Sequence, residues 1–203
     1  MPKSWSKIAA SLSFLAVSIA AVPTASAQVA AVENKAPVVA TDGLPTLVTA
    51  EFSGLAARGT ATMRFFGLKV YDVTLFSKAG AALGEKPYDA SSAPFALQLI
   101  YDIGLKGAAI SERSVDEMRK QGLDNAEQLK KWQAQMTALF PDIKSGDVLI
   151  GVAIPGKEAR FYNRSKFIGT IADPEFVAAF FDIWLSAKSS EPKLRAKLIS
   201  GSK

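Results

Sequence analysis

Four residues within a short stretch, Arg58, Arg64, Lys69 and Tyr71, set three cations beside a phenol. That combination suits capture of an anion, a carboxylate above all. Hydrogen bonds from Arg or Lys to a carboxylate are about twice as strong as neutral ones. The rest of the composition narrows the chemistry further. The 203 residues include no Cys and no His. Ser-His-Asp and Cys-His arrangements, imidazole zinc sites and the usual proton shuttle at neutral pH are therefore excluded. Any catalysis would fall to Tyr, Lys, Arg or carboxylates, and no residue can be named catalytic. Asp142 and Asp147 flank a turn, which turn chemistry explains. Pro155-Gly156-Lys157 is too short to cradle a phosphate. No metal and no cofactor is expected.

The elements that must position those four residues are read from the run 58–77. It is rich in Thr, Val, Phe and Tyr, which fit a pleated surface. Two strands are predicted, roughly 58–66 and 68–77, with Gly67 at the turn between them. In the second strand Lys69, Tyr71, Val73 and Leu75 share one face, and Leu68, Val70, Asp72, Thr74 and Phe76 share the other. Neither face is purely apolar, so this strand should be covered on both sides. The ordinary reading of Tyr71 is a core-edge tyrosine with its hydroxyl at water. The functional reading is that Tyr71 and a nearby Arg line a cleft.

Around that pair, Leu47 to Leu55 reads as a first strand ended by Gly54, and 79–93 as a loop. Phe95 to Tyr101 alternates as a strand, with Phe95, Leu97, Leu99 and Tyr101 pointing one way. Lys106 to Gln121 is helical in composition and closes at Gly122. On it Ile110, Ser114, Glu117 and Gln121 share a face, and Arg113, Asp116, Arg119 and Lys120 sit elsewhere. A second helix is predicted from about Asn125 to Phe140, with Asp124 as N-cap and Pro141 as the stop. Strands follow at Val148–Ile154, 159–163 and 167–172. Asp173-Pro174-Glu175 starts a helix whose Phe176, Val177, Phe180, Phe181, Ile183, Trp184 and Leu185 make it apolar round more than half its circumference. A short helix begins at Ser190-Glu191-Pro192. Strands cluster and helices cluster, so the fold class is α+β: a large, mainly antiparallel sheet with helices packed on one face. The helix at 174–185 carries more aromatics than one sheet face requires. A sheet and a helical layer lined in this way can hold an apolar ligand, with a cation at the mouth.

The N-terminus has its own signature. Lys3 and Lys7 precede an apolar run from Ile8 to Val22, and Ala25-Ser26-Ala27 gives a small-x-small cleavage pattern. Residues 1–27 are expected to be a secretory signal peptide. Residues 28–44 are expected to be a flexible mature N-terminus, and 45–203 the folded domain. Cleavage after Ala27 leaves 176 of the 203 residues, and losing Lys3 and Lys7 takes the formal charge from +5 to +3. That mild, interspersed charge argues against a nucleic-acid partner. No later stretch approaches the ~20 apolar residues of a transmembrane segment. Periplasmic export is expected, and the sequence leaves the oligomeric state open.

Five segments carry a family resemblance: Phe-Phe-Gly-Leu-Lys-Val-Tyr-Asp (65–72), Pro-Gly-Lys-Glu-Ala-Arg-Phe-Tyr (155–162), Ile-Gly-Thr-Ile-Ala-Asp-Pro-Glu-Phe (168–176), Ala-Phe-Phe-Asp-Ile-Trp-Leu (179–185) and Glu-Pro-Lys-Leu-Arg (191–195). In this order they resemble the bacterial chalcone isomerase-like proteins, over about residues 45–200. The resemblance implies a large antiparallel sheet covered by helices, with a ligand cleft between. That family includes enzymes closing a chalcone to a flavanone, fatty-acid binders and non-catalytic members. The enzymes place an Arg before the central strand, a Thr on it, a Tyr and an Asn on the next helix, and a Thr on the late helix. Here Tyr71 falls at the strand Thr, Ile110 at the helix Tyr, Glu117 at the helix Asn, and Ile183 near the late Thr. These departures argue against chalcone isomerisation. Arg58 stands at about the right distance for the Arg, or Thr62 takes that place with Arg58 and Arg64 on either side. Fatty-acid-binding relatives use an Arg and a Tyr for the carboxylate, a use that Arg58 with Tyr71 would match.

The expected function is binding of a small apolar or amphipathic carboxylate such as a fatty acid. The ligand-binding set is Arg58, Arg64, Lys69, Tyr71, Ile110, Phe180, Phe181 and Trp184. The alternatives are an intramolecular lyase of the chalcone isomerase type and a protein-interaction module without a small ligand.

Overall fold

The computed structural model describes residues 43–79, 81 and 93–200. The expected signal peptide and nearly all of the expected flexible segment lie outside the described residues, as does most of the 79–93 loop. Six strands form one antiparallel sheet in sequence order: β1 (Leu55–Phe65), β2 (Leu68–Lys78), β3 (Phe95–Tyr101), β4 (Val148–Ile154), β5 (Glu158–Tyr162) and β6 (Phe167–Ile171). The described residues also form five helices: α1 (Thr46–Glu51), α2 (Gly107–Lys120), α3 (Ala126–Leu139), α4 (Pro174–Leu185) and α5 (Pro192–Ser200). The α+β class is as the sequence predicts.

The stretch read as a first strand, Leu47 to Leu55, is instead helix α1 followed by a turn. Its apolar residues explain the difference. Leu44, Val48 and Phe52 recur every four residues, which makes a helical stripe rather than an alternating one. Pro45 sits at the N-cap and accepts the amides of Val48 and Thr49. This stripe packs with Phe76, Ala96, Val148, Ile150, Val152 and Tyr162. Strand pairing puts these residues on one side of the sheet, through Phe76 opposite Ala96 opposite Val152. Glu51 anchors α1 there by accepting from Arg160 and from the Tyr162 hydroxyl (2.6 Å). On this face of β2 Phe76 is covered by α1, but Leu68 is exposed and the Thr60–Thr74 and Thr62–Asp72 bonds lie at the surface, so the cover expected on both sides is only partial.

The other side of the sheet carries the main helical layer. Leu75, Leu97, Gly151 and Phe161 face it in register. α4 lies over them with Phe176, Phe180 and Phe181, all buried. Phe181 meets Phe95 edge-on at 5.1 Å, and Phe180 meets Phe161 at 5.4 Å. Trp132 of α3 closes the group against Phe176 at 5.7 Å.

Local chemistry sets the helix starts. Asp173 caps α4 by accepting from the amides of Glu175 and Phe176, and also receives the Trp132 indole N–H at 2.9 Å. α3 is capped by Asn125, one residue later than the Asp124 expected. α5 packs on β1, where a Cβ on Gly59 would stand 2.3 Å from the Lys197 carbonyl oxygen. Only Gly admits that approach.

Candidate functional site

β2 alternation turns Tyr71, Val73 and Leu75 toward the helical layer, and antiparallel pairing sets Tyr71 opposite Tyr101. The two rings meet edge-on with centroids 5.6 Å apart. One helical turn beyond Phe180, α4 presents Trp184, whose indole N–H donates to the Tyr71 hydroxyl oxygen at 3.1 Å. From α2, Arg113 and Glu117 stand one turn apart and form an ion pair. The Glu117 carboxylate is buried. It also accepts from Lys120 Nζ at 2.8 Å and from Ser190 Oγ, beyond α4, at 2.6 Å. Sheet, α2, α4 and the start of α5 converge here on a polar cluster at one end of an apolar layer.

Electrostatics keep the phenols neutral. Burial pushes the Tyr71 pKa up to about 12, although the Trp184 bond and the Arg113 charge pull it down; Glu191 and Glu117 raise it further. Tyr101 is pushed up well beyond that, by burial first and then by Tyr71. Both are donors at neutral pH rather than phenolates. The Tyr71 oxygen accepts from Trp184, and among the described residues no acceptor takes its own proton. Nor does the Tyr101 hydroxyl have a hydrogen-bond partner among the described residues. A neutral phenol donor at Tyr71 that feels the Arg113 charge, with the Tyr101 phenol beside it, suits an anionic or carbonyl oxygen. Phenols this weakly acidic are poor proton shuttles at neutral pH. Among the described residues no group of three or more carboxylates is placed to hold a metal.

The residues expected at the site divide into three groups. Tyr71 and Trp184 meet directly. Phe180 and Phe181 lie behind them in the ring cluster, and half-buried Ile110 precedes Arg113 by one turn of α2. Arg58 lies elsewhere. It donates to the carbonyls of Ala81 (2.6 Å) and Ile199 (3.2 Å), so it ties β1 to α5. Tyr71 pairs with Met63, so Arg58 stands about 16 Å further along β1 at ~3.3 Å per residue. Arg64 and Lys69 pair beside the β1–β2 turn. Arg64 is exposed and reaches the Gly67 carbonyl at 3.1 Å. Lys69 is held by Asp72 (2.7 Å) and Asp102 (3.1 Å), which raise its pKa. The structure therefore does not bring the four residues 58, 64, 69 and 71 into one constellation.

Arg113, Tyr101 and Ser190 were not among the expected site residues. The sequence pattern puts Arg113 off the face shared by Ile110, Ser114 and Glu117, yet the i, i+4 spacing of Arg113 and Glu117 is visible in it. Tyr101 was readable as facing with Leu97 and Leu99, but its position opposite Tyr71 needs the register of two strands. Ser190 lies 73 positions from Glu117, and no local pattern joins them.

A sequence profile described as chalcone isomerase-like matches residues 36–200. A curated relative from Haemophilus influenzae, described as an uncharacterized protein, is 26% identical over 145 residues, 71% of this chain and 68% of its own length. Among solved structures, an Arabidopsis thaliana fatty-acid binding protein superposes with a TM-score of 0.54. It is 13% identical, and the match covers 73% of this chain and 88% of that one. At that identity the likeness speaks to the fold. The sheet-and-helix architecture and a profile match spanning most of the sequence lead to one conclusion: this chain belongs to the chalcone isomerase-like family.

Proposed function

We propose that the chain binds a small amphipathic carboxylate of the fatty-acid class, with the carboxylate received at Tyr71 and Arg113 rather than at Arg58. The observation that carries this reading is the Tyr71 hydroxyl. It is neutral and half-buried, it accepts from Trp184, and its own proton has no acceptor among the described residues. A carboxylate oxygen there completes the phenol's bonding. The Arg113 guanidinium, whose charge reaches Tyr71, supplies the countercharge. The tail follows the seam beside Trp184, Phe180 and Ile110. A fatty-acid binder of the same fold supports this choice of ligand class. The apolar run and small-residue site at 8–27 support export, with a mature start at Gln28.

Calorimetric titration of delipidated protein with saturated fatty acids of increasing length tests the reading. Affinity should rise with length until the seam is full, each buried methylene adding about 0.8 kcal/mol at most. Tyr71→Phe should weaken binding roughly tenfold or more, since a hydrogen bond to a charged group is worth about 1.5–3 kcal/mol. No binding at any length overturns the proposal and favours a protein-interaction role. Arg113-dependent turnover of a chalcone above the spontaneous rate would favour the lyase. Sequencing the exported protein's N-terminus tests processing, and an intact Met1 there would refute it.

A further inference from the structure

The β1–β2 hairpin ends in an apolar apex. Phe65 and Leu68 pair across it, and Phe66 and Gly67 make the turn with φ of 47° and 81°. Gly67 tolerates that conformation, but a phenylalanine adopts left-handed backbone only against steric cost. Phe66 is nonetheless 94% exposed, and Leu68 is 58% exposed. Phe66 leans edge-on against Phe65 with centroids 4.4 Å apart. β3 pairs with β2 only as far as Tyr71, opposite Tyr101. The apex therefore projects about 10 Å past its neighbouring strand, at ~3.3 Å per residue. Immediately behind Phe65 and Leu68, the next cross-strand pair is Arg64 and Lys69. Asp72 and Asp102 hold Lys69, while the Arg64 guanidinium curls toward the apex carbonyl of Gly67.

We propose that this apex docks on an anionic phospholipid bilayer, with Phe66 and Leu68 entering the interface and Arg64 meeting the phosphate layer. A convex tip with an aromatic and a leucine at its end and cations one residue behind matches the layering of a membrane surface: apolar inside, anionic outside. The chain's formal charge of +5, or +3 without Lys3 and Lys7, attracts it to the same surface. This inference does not depend on the ligand proposed above.

Co-sedimentation of the chain beginning at Gln28, which lacks the apolar run Ile8–Val22 that would itself enter lipid, with vesicles of phosphatidylcholine and phosphatidylglycerol in equal parts measures the docking. Phe66→Asn with Leu68→Ser should reduce the bound fraction at least tenfold. Asn accepts left-handed backbone, so the melting temperature should not fall. Arg64→Gln should weaken binding about fivefold, as expected for one cation near an anionic surface, and only on phosphatidylglycerol vesicles. A tryptophan placed by Phe66→Trp should be quenched by brominated lipid more than the native tryptophans are. Wild-type protein that stays in the supernatant, or a Phe66→Asn/Leu68→Ser variant that sediments as wild type does, overturns the proposal. So does an apex that cross-links from position 66 to a protein while ignoring vesicles.

Discussion

The two ends of the layer between sheet and helices are built from similar residues to different effect. At one end Phe140, Phe161, Phe176, Phe180 and Phe181 form a continuous set of ring contacts and are buried. At the other, Tyr71, Tyr101 and Trp184 continue the aromatic lining, but each carries a polar atom, and Arg113, Glu117 and Ser190 stand beside them. The first end is satisfied within itself. The second has donors left over. A closed set of rings stabilises by packing, whereas an incompletely used set of donors costs stability unless something completes it. The contrast separates the part of the layer that holds the fold from the part proposed above to receive a carboxylate.

Substitution at the ring end should have the largest effect. Phe181→Ala removes a ring packed on Phe95 and should cost about 3–5 kcal/mol of stability by urea unfolding. A loss below ~1 kcal/mol would mean that this end is loosely packed and the contrast unsound. Glu117→Gln comes next. It removes the shared partner of Arg113 and Lys120 and should cost about 1–3 kcal/mol, because those donors lose their acceptor charge. Yet it should tighten carboxylate binding, since Arg113 no longer serves an internal acid. Stability and affinity moving in opposite directions would sharpen the comparison; a parallel fall in both would break it.

Tyr71→Phe should cost less, on the order of 1 kcal/mol, by leaving the Trp184 indole without its acceptor. It should also alter the alkaline limb. The folded pKa of Tyr71 is raised from 10 to about 12, so its contribution is complete below pH 10 and is lost as pH rises toward 12. Thermal melts across that window should fall less steeply in Tyr71→Phe. At the acid limit, Asp173 belongs to the ring end. Burial pushes its pKa up, but the bonds from Trp132, the Phe176 amide and Lys131 outweigh burial and leave the pKa below 3.8. That contribution is present above about pH 4 and is lost as pH falls through the lowered value. Asp173→Asn retains a cap and should flatten the acid loss.

The smallest effect on ligand should come from Arg58→Ala. It removes two bonds to backbone carbonyls, worth roughly 1 kcal/mol each in stability. Fatty-acid affinity should stay unchanged. Loss of binding in this variant, with Tyr71→Phe unaffected, would move the carboxylate to the far end of β1.

Where a local signal ran over a whole element, the sequence by itself determined the outcome. The alternation in Phe95–Tyr101, the run Val148–Ile154 and the Asp173-Pro174 start of α4 are each written within a few residues, and each element formed where that chemistry placed it. Leu44, Val48 and Phe52 are equally local, but a stripe of two turns is too short for periodicity to separate helix from strand, and it is the packing on Phe76, Ala96 and Val152 that makes it α1. The site was another matter. Arg58 and Tyr71 stand the right distance apart in sequence, but that spacing does not fix where Arg58 points. Only once α5 had packed on β1 did the Ile199 carbonyl come within its reach. Tyr71 meets Trp184 across 113 positions, and Glu117 meets Ser190 across 73. Such partners are chosen by strand register and helix docking, which depend on burying whole faces rather than on any residue's own preference.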